Sequence, residues 1–168
     1  MGGGLIGAIE RLSTGVGVLG AVLIVPLVLA TTYEVLARYG FGAPTIWAYE
    51  VGYILTGSHF LLGMAYTLRM GEHIRIDIFS GKFKARTRAL IDLACYAVVF
   101  PLLIWLTYAL GSHLLKAYVS GEKSGQSAFN MPVWPFRVVF CAAFLMLALQ
   151  VLVEILKAVR VYRDSAAR

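Results

Sequence analysis

Two histidines give this chain its clearest opening to chemistry. His59 and His113 are the only imidazoles, acids or bases inside four long uncharged stretches. Paired imidazoles at one depth on facing membrane helices can hold haem iron, so a membrane-anchor subunit of b-type cytochrome character has to be weighed. His59 lies nine residues inward of Glu50, whereas His113 lies three residues inward of Lys116. At about 1.5 Å of rise per residue their depths differ by roughly 9 Å. That is too much for one haem, and no second pair exists. The better reading has His59 hydrogen-bonded within a helix interface and His113 near the outer headgroups. An ionisable ring at depth still defaults to a functional hypothesis, and for His59 that is a role in assembly or coupling. A haem absorbance spectrum separates the two readings.

Glu34, Arg38 and Glu50 gather around one turn. Glu34 and Arg38 are four residues apart, so they can pair on one helix face if the first helix runs that far. Glu50 opens the next helix, where the N-terminal dipole favours a carboxylate. For all three, anchoring is preferred over ligand contact. Other chemistry is missing from the pattern. No acid lies near the middle of an uncharged stretch to relay protons. No matched pair of Gly/Pro-broken helices marks a self-contained secondary transporter. Gly-rich phosphate loops, nucleophile–base sets and metal-ligand spacings are absent too. Cys95 and Cys141 stand singly, without the Cys-x-x-Cys of a disulfide-exchange enzyme, and read as small apolar packing residues. The expectation is a chain that is no enzyme, needs no cofactor and cannot carry a solute alone. Uptake by this chain by itself would favour a rival, a small self-assembling transporter.

The elements that position these residues are read from where charge is missing. Between Arg11 and Glu34, Glu50 and Arg69, Asp92 and Lys116, and Arg137 and Glu154 lie 22, 18, 23 and 16 uncharged residues. A hydrocarbon core of about 30 Å takes about 20 apolar helical residues to cross. The last stretch is short, but Met131 to Phe136 is also apolar, and Arg137 can snorkel to the interface. The fold expected is therefore all-α integral membrane. It is one domain over residues 1–168, with four transmembrane helices at about 12–36, 47–68, 90–116 and 132–156. With 60% hydrophobic and 14% charged residues and a mean hydropathy of +0.78, no ordinary soluble class fits. The uncharged stretches are too long for barrel strands. The first exceeds a signal-peptide core and follows a single Arg, which reads as a retained anchor. Ile6 stands where a myristoylation pattern wants Ser or Thr.

The net charge of +6 could suggest nucleic acid, but its placement argues for topology instead. Eleven of the fifteen basic residues lie near the termini or between Arg69 and Arg88; only Arg38, Lys116, Lys123 and Arg137 lie elsewhere. Such a bias puts both termini and the middle loop in the cytoplasm, next to anionic lipid. No nucleic-acid partner is expected.

Along the chain, Pro26 should kink the first helix, since it cannot donate to the Val22 carbonyl. Ser13, Gly17 and Ala21 form a small-residue stripe for close helix approach. Tyr33, Tyr39, Phe41, Trp47, Tyr49 and Tyr53 make an interfacial belt around a turn built on Gly40, Gly42 and Pro44. In the second helix Gly52, Thr56, His59 and Gly63 share a small, polar face. The segment from Arg69 to Arg88 mixes Ile, Phe and charge and should lie in the cytoplasmic interface. The third helix contains Pro101. A Ser/Gly-rich outer loop, Ala117 to Asn130, leads to Met131-Pro-Val-Trp-Pro, where prolines suit a first helical turn and Trp134 sits at interfacial depth. No repeat is visible.

Three segments together resemble a known family. They are Glu34-Val-Leu-Ala-Arg38-Tyr39-Gly-Phe41 with Pro44 and Trp47-Ala-Tyr-Glu50, then Leu68-Arg69-Met-Gly71-Glu72-His73-Ile74-Arg75-Ile76-Asp77, and the loop ending Met131-Pro132-Val133-Trp134-Pro135. The likeness covers about residues 10–160 and is to the small membrane (Q) subunit of tripartite ATP-independent periplasmic (TRAP) transporters. One departure is that many members place two acids after the Trp, whereas here Tyr49 precedes Glu50. The resemblance implies a division of labour. A periplasmic substrate-binding protein delivers an organic acid, and the large TRAP membrane subunit binds substrate and sodium and moves them in an elevator-like manner. The small subunit braces the immobile scaffold in the bacterial inner membrane and helps dock the binding protein. It also implies no substrate, metal or cofactor site in this chain; sodium belongs to the large subunit. Arg38, Trp47, Glu50, His59, Arg69, Glu72, His73, Arg75, Asp77 and Trp134 are then subunit-interface or structural candidates. The substrate is not legible, because its selecting residues lie in the other subunits.

Overall fold

In the computed structural model, which describes residues 4–71 and 85–166, the chain is helical throughout its long elements. In order they are α1 (Gly4–Val22), α2 (Ile24–Val35), a π-helical turn (Leu36–Gly40), α3 (Ala48–Met70), α4 (Ala85–Ser120) and α5 (Trp134–Ala166). The interfacial basic segment expected after Arg69 falls largely on residues 72–84, outside the described residues. Glu72, His73, Arg75 and Asp77 fall there too.

The α1–α2 break follows from Pro26. Its ring brings no N–H to the Val22 carbonyl and presses against it, and the helix interrupts at Leu23. Leu23 N–H reaches back to both Leu19 O and Gly20 O at 3.2 Å, and Leu27 N–H to Leu23 O at 3.2 Å, so the two rods stay joined. The π-turn was not legible in the sequence; it inserts one extra residue per turn beside Arg38. Gly71 explains one position of the Arg69-Met-Gly71 segment. It ends α3 in the left-handed region, φ 73°, and its N–H closes on Leu68 O at 3.1 Å. Gly121, φ 61°, ends α4 similarly, with Glu122 N–H reaching Ala117 O at 3.1 Å. Both are the left-handed stop that a residue without Cβ adopts freely.

The helices pack as a row in which α3 and α5 are central, α1–α2 flanks α3, and α4 flanks α5; α1 also reaches α5. Close approach of α1 to α3 depends on missing side chains. A Cβ on Gly17 would lie 2.5 Å from Tyr66 Cβ, and one on Gly20 3.1 Å from Leu62 Cβ. The buried stripe is thus Ser13, Gly17 and Gly20, while Ala21 is exposed. Steps of four and three follow the helix's 3.6-residue period, so a strict step of four drifts off the face. Between α4 and α5 the core is Leu103, Ala148 and Val151, joined by Leu68 of α3 and by Phe100 and Phe144. Cys95 is exposed rather than packed within the chain.

Among the described residues, three helical stretches are long and apolar enough to cross a membrane: Gly4–Gly40, Thr87–Ser120 and Trp134–Asp164. The expected fourth crossing, carried by α3, does not reach that standard. The reason lies in its neighbours. From Val51 to Arg69 only Phe60 is exposed, so α3 is solvated by protein and can hold Thr56, Ser58, His59 and Thr67. Its 23 residues span ~34 Å at 1.5 Å each.

Candidate functional site

Polar side chains collect at the two ends of the row and at one point between them. At one end the carboxylate of Glu50 is 0% exposed. It sits in the first turn of α3, but its partners are some eighty residues away. It accepts N–H groups of Asn130 at 3.1 Å and Met131 at 2.8 Å, and lies against the Ser127 hydroxyl. Ser127 Oγ also faces Ile46 O at 3.1 Å and accepts Phe129 N–H at 3.1 Å. The α4–α5 loop is folded on itself to meet this acid. Ser124 N–H bonds Met131 O at 2.8 Å, Val133 N–H bonds Glu122 O at 3.1 Å, and Gly125 N–H bonds Asn130 Oδ1 at 3.1 Å. Arg137, in the first turn of α5, donates to His113 O at 2.9 Å and to Glu122 Oε1 at 2.7 Å, lashing the loop to both helices. His113 itself is exposed.

Beside it, Glu34 orders the α2–α3 turn. Its Oε1 accepts Arg38 Nε–H at 2.8 Å, and its Oε2 accepts Thr45 N–H at 2.9 Å and the Thr45 hydroxyl. The i, i+4 pair expected from the sequence is therefore present, and a turn residue shares it. Trp47 stacks on Tyr33 with ring centroids 5.9 Å apart, and Trp134 meets Tyr118 edge-on at 5.7 Å. These stacks hold α2 to α3 and α4 to α5.

Midway, His59 Nδ1 lies 3.0 Å from Gly20 O. A carbonyl can only accept, so Nδ1 carries the proton. The bond falls at the α1–α2 break, where helical pairing is already disturbed. Gly63 joins the close approach through its backbone, its nitrogen lying 3.5 Å from where a Gly20 Cβ would stand, whereas a Cβ at Gly52 would meet nothing within 4 Å. His59→Gln keeps an N–H donor of similar reach, so folded yield should stay within about twofold of the parent. His59→Arg places a permanent charge in the α1–α3 interface and should abolish a monodisperse peak in size-exclusion chromatography.

At the other end lies a chain of bonds that sequence reasoning missed. The Ser13 hydroxyl donates to Gln150 Oε1 at 2.8 Å, and Gln150 Nε2 donates to Glu154 Oε1 at 3.0 Å. Lys157 Nζ bridges Glu154 at 2.8 Å and Glu10 at 2.7 Å. Arg69 donates to the Thr14 hydroxyl, which bonds Glu10 O at 2.8 Å. The signal was available: Gln150, Glu154 and Lys157 stand at i, i+4 and i+7, on one helix face. Among the described residues, no buried side-chain nitrogen or oxygen lacks a hydrogen-bond partner.

The structure thus groups Arg38 and Trp47 near Glu50, puts Trp134 over the same end, leaves His59 between, and sends Arg69 to the far end. A family model described as Tripartite ATP-independent periplasmic transporters, DctQ component, matches residues 27–161. The match takes in most of α2, then α3, α4 and most of α5, and leaves α1 outside. No curated protein matches the chain.

Proposed function

We propose that this chain, which belongs to the DctQ component family of tripartite ATP-independent periplasmic transporters, is the non-catalytic small subunit of a sodium-coupled importer. It braces a large membrane subunit that moves an organic acid delivered by a periplasmic substrate-binding protein. Family membership makes it a transporter component. The observation that carries the scaffold reading is how its polar groups are used. Glu50 holds a loop, His59 a backbone carbonyl and Gln150 a serine, so the described interior offers no free group to a solute. Substrate and sodium are then handled by the partner subunit.

In this account α3 is a fourth crossing, its polar side chains sheltered by α1, α2 and α5. The Glu50 end is periplasmic, and both termini and residues 72–84 are cytoplasmic in a bacterial inner membrane, as the basic bias argues. Single cysteines test this after Cys95 and Cys141 are replaced. With an impermeant thiol reagent on intact spheroplasts, Ala128→Cys should label and Ser80→Cys should not. The reverse pattern overturns the orientation, and labelling of both overturns the four-crossing count.

A further inference from the structure

Where α4 and α5 run together at the end away from Glu50, they leave a cleft of about 260 Å³. Arg88, Ala89 and Asp92 line it from α4, and Glu154, Lys157 and Ala158 from α5. Ala89 and Ala158 are small and buried, so the floor is recessed between longer charged side chains. Both acids mark the same boundary. Asp92 is the last charge before the uncharged stretch of α4, and Glu154 is the first after that of α5. The cleft therefore opens at headgroup level in a bilayer that these helices cross. It is smaller than the ~300–1,000 Å³ of sites that enclose a whole drug-sized ligand, which suits a single polar group.

The charges of the cleft have both signs and are incompletely used. Lys157 Nζ is taken up by Glu154 at 2.8 Å and Glu10 at 2.7 Å. Gln150 and Lys157 both bond Glu154 through Oε1, which leaves Oε2 without a partner among the described residues. Arg88 and Asp92 stand four apart on α4 in the order basic then acidic, the weaker arrangement for a helical pair. Neither makes an ion pair or hydrogen bond with another described residue. Arg88 is exposed and Asp92 half-buried. No buried side-chain oxygen among the described residues lacks a partner, so the free oxygens of Asp92 and Glu154 are open to the surface. The cleft thus offers two acceptors and one guanidinium donor.

We propose that this cleft binds the headgroup of phosphatidylethanolamine from the cytoplasmic leaflet, with the phosphate on Arg88 and the ammonium between Asp92 and Glu154 Oε2. The proposal goes beyond the scaffold reading and stands apart from it. Guanidinium and phosphate match through paired hydrogen bonds, and a primary ammonium carries three donors for carboxylate oxygens. Phosphatidylglycerol would set its one negative charge beside two acids and bring no cation to them. The choline of phosphatidylcholine has no N–H to donate. Arg160 and Arg163 stand further along α5, and basic residues at a membrane surface by themselves favour anionic lipid. A preference for the ethanolamine lipid therefore isolates the contribution of the two acids.

The test mixes the purified full chain in detergent with equal amounts of dioleoyl phosphatidylethanolamine, phosphatidylglycerol and phosphatidylcholine, and reads the retained lipid by native mass spectrometry. One phosphatidylethanolamine should be retained at least about fivefold over either of the others. Asp92→Asn keeps the shape of the side chain and should remove that preference, while Arg88→Gln should lower retention of all three lipids. Both variants should elute in size-exclusion chromatography as the parent does. Preference for phosphatidylglycerol, equal retention of the three, no retained lipid, or an unchanged preference in Asp92→Asn would each overturn the proposal. A soluble arm fixes the source of the phosphoethanolamine group. Glycerophosphoethanolamine at the concentration of the lipid should displace nothing; displacement would assign the cleft to a soluble compound and overturn the lipid assignment.

Discussion

Glu50→Ala should release the α4–α5 loop while leaving the helices in place. The substitution removes the acceptor for Asn130 N–H and Met131 N–H and the partner of the Ser127 hydroxyl at once. Hydrogen bonds to a charged acceptor are the strong kind, and buried donors left without one are costly. Of the ties that remain, Ser124 to Met131, Val133 to Glu122 and Gly125 to Asn130 join the loop to itself. Arg137 holds its Glu122 end to α4 and α5, and Ser127 Oγ to Ile46 O is, among the described residues, the one bond left toward the start of α3. Limited proteolysis of the purified protein should cleave between Glu122 and Asn130 at least about tenfold faster than in the parent protein. Circular dichroism should show unchanged helix content. Glu50→Gln keeps one acceptor oxygen and should fall between the two. A loop equally resistant in Glu50→Ala would mean that the acid does not hold it.

The second large effect is expected at Gly17. A Cβ there would sit 2.5 Å from Tyr66 Cβ, and that atom cannot swing away because it is the root of its side chain. Gly17→Leu must push α1 off α3, and with it the bond from His59 to Gly20 O and the one from Arg69 to Thr14. Overpacking of a tight contact typically costs about 1–3 kcal/mol, and three linked contacts put this case at the upper end. Gly15→Leu supplies the control, since a Cβ at Gly15 meets nothing within 4 Å. In detergent, thermal aggregation of Gly17→Leu should begin several degrees below the parent, and Gly15→Leu should match the parent. Equal behaviour of the two would show that α1 and α3 are not in close contact.

Much of this architecture was legible because the bilayer imposes simple rules. Gaps in charge located the helices, the Pro26 ring located the break, and a spacing of four located the Glu34–Arg38 pair. What failed did so for definable reasons. The stripe on α1 was read at a fixed step of four, which selects Ala21; the helical period selects Gly20. The Glu50 clamp and the bond between Ser13 and Gln150 join residues 77 to 137 positions apart, and no local pattern reports such pairs. The shelter of α3 has the same cause: its polar residues look costly until the helices around them are known. Arg38, Trp47 and Trp134 could be placed near the outer turn from aromatic and charge patterning, but their partners Thr45, Tyr33 and Tyr118 could not.

The central claim is that this chain is needed for transport yet carries none of it. The most direct measurement is sodium-driven uptake into proteoliposomes of the acid that the system's own periplasmic protein captures. Vesicles would hold this chain alone, the large subunit alone, or both, with the binding protein outside. Uptake should appear with both subunits, be absent with this chain alone, and be strongly reduced with the large subunit alone. Saturable sodium-dependent uptake by this chain alone, or full uptake without it, would contradict the account.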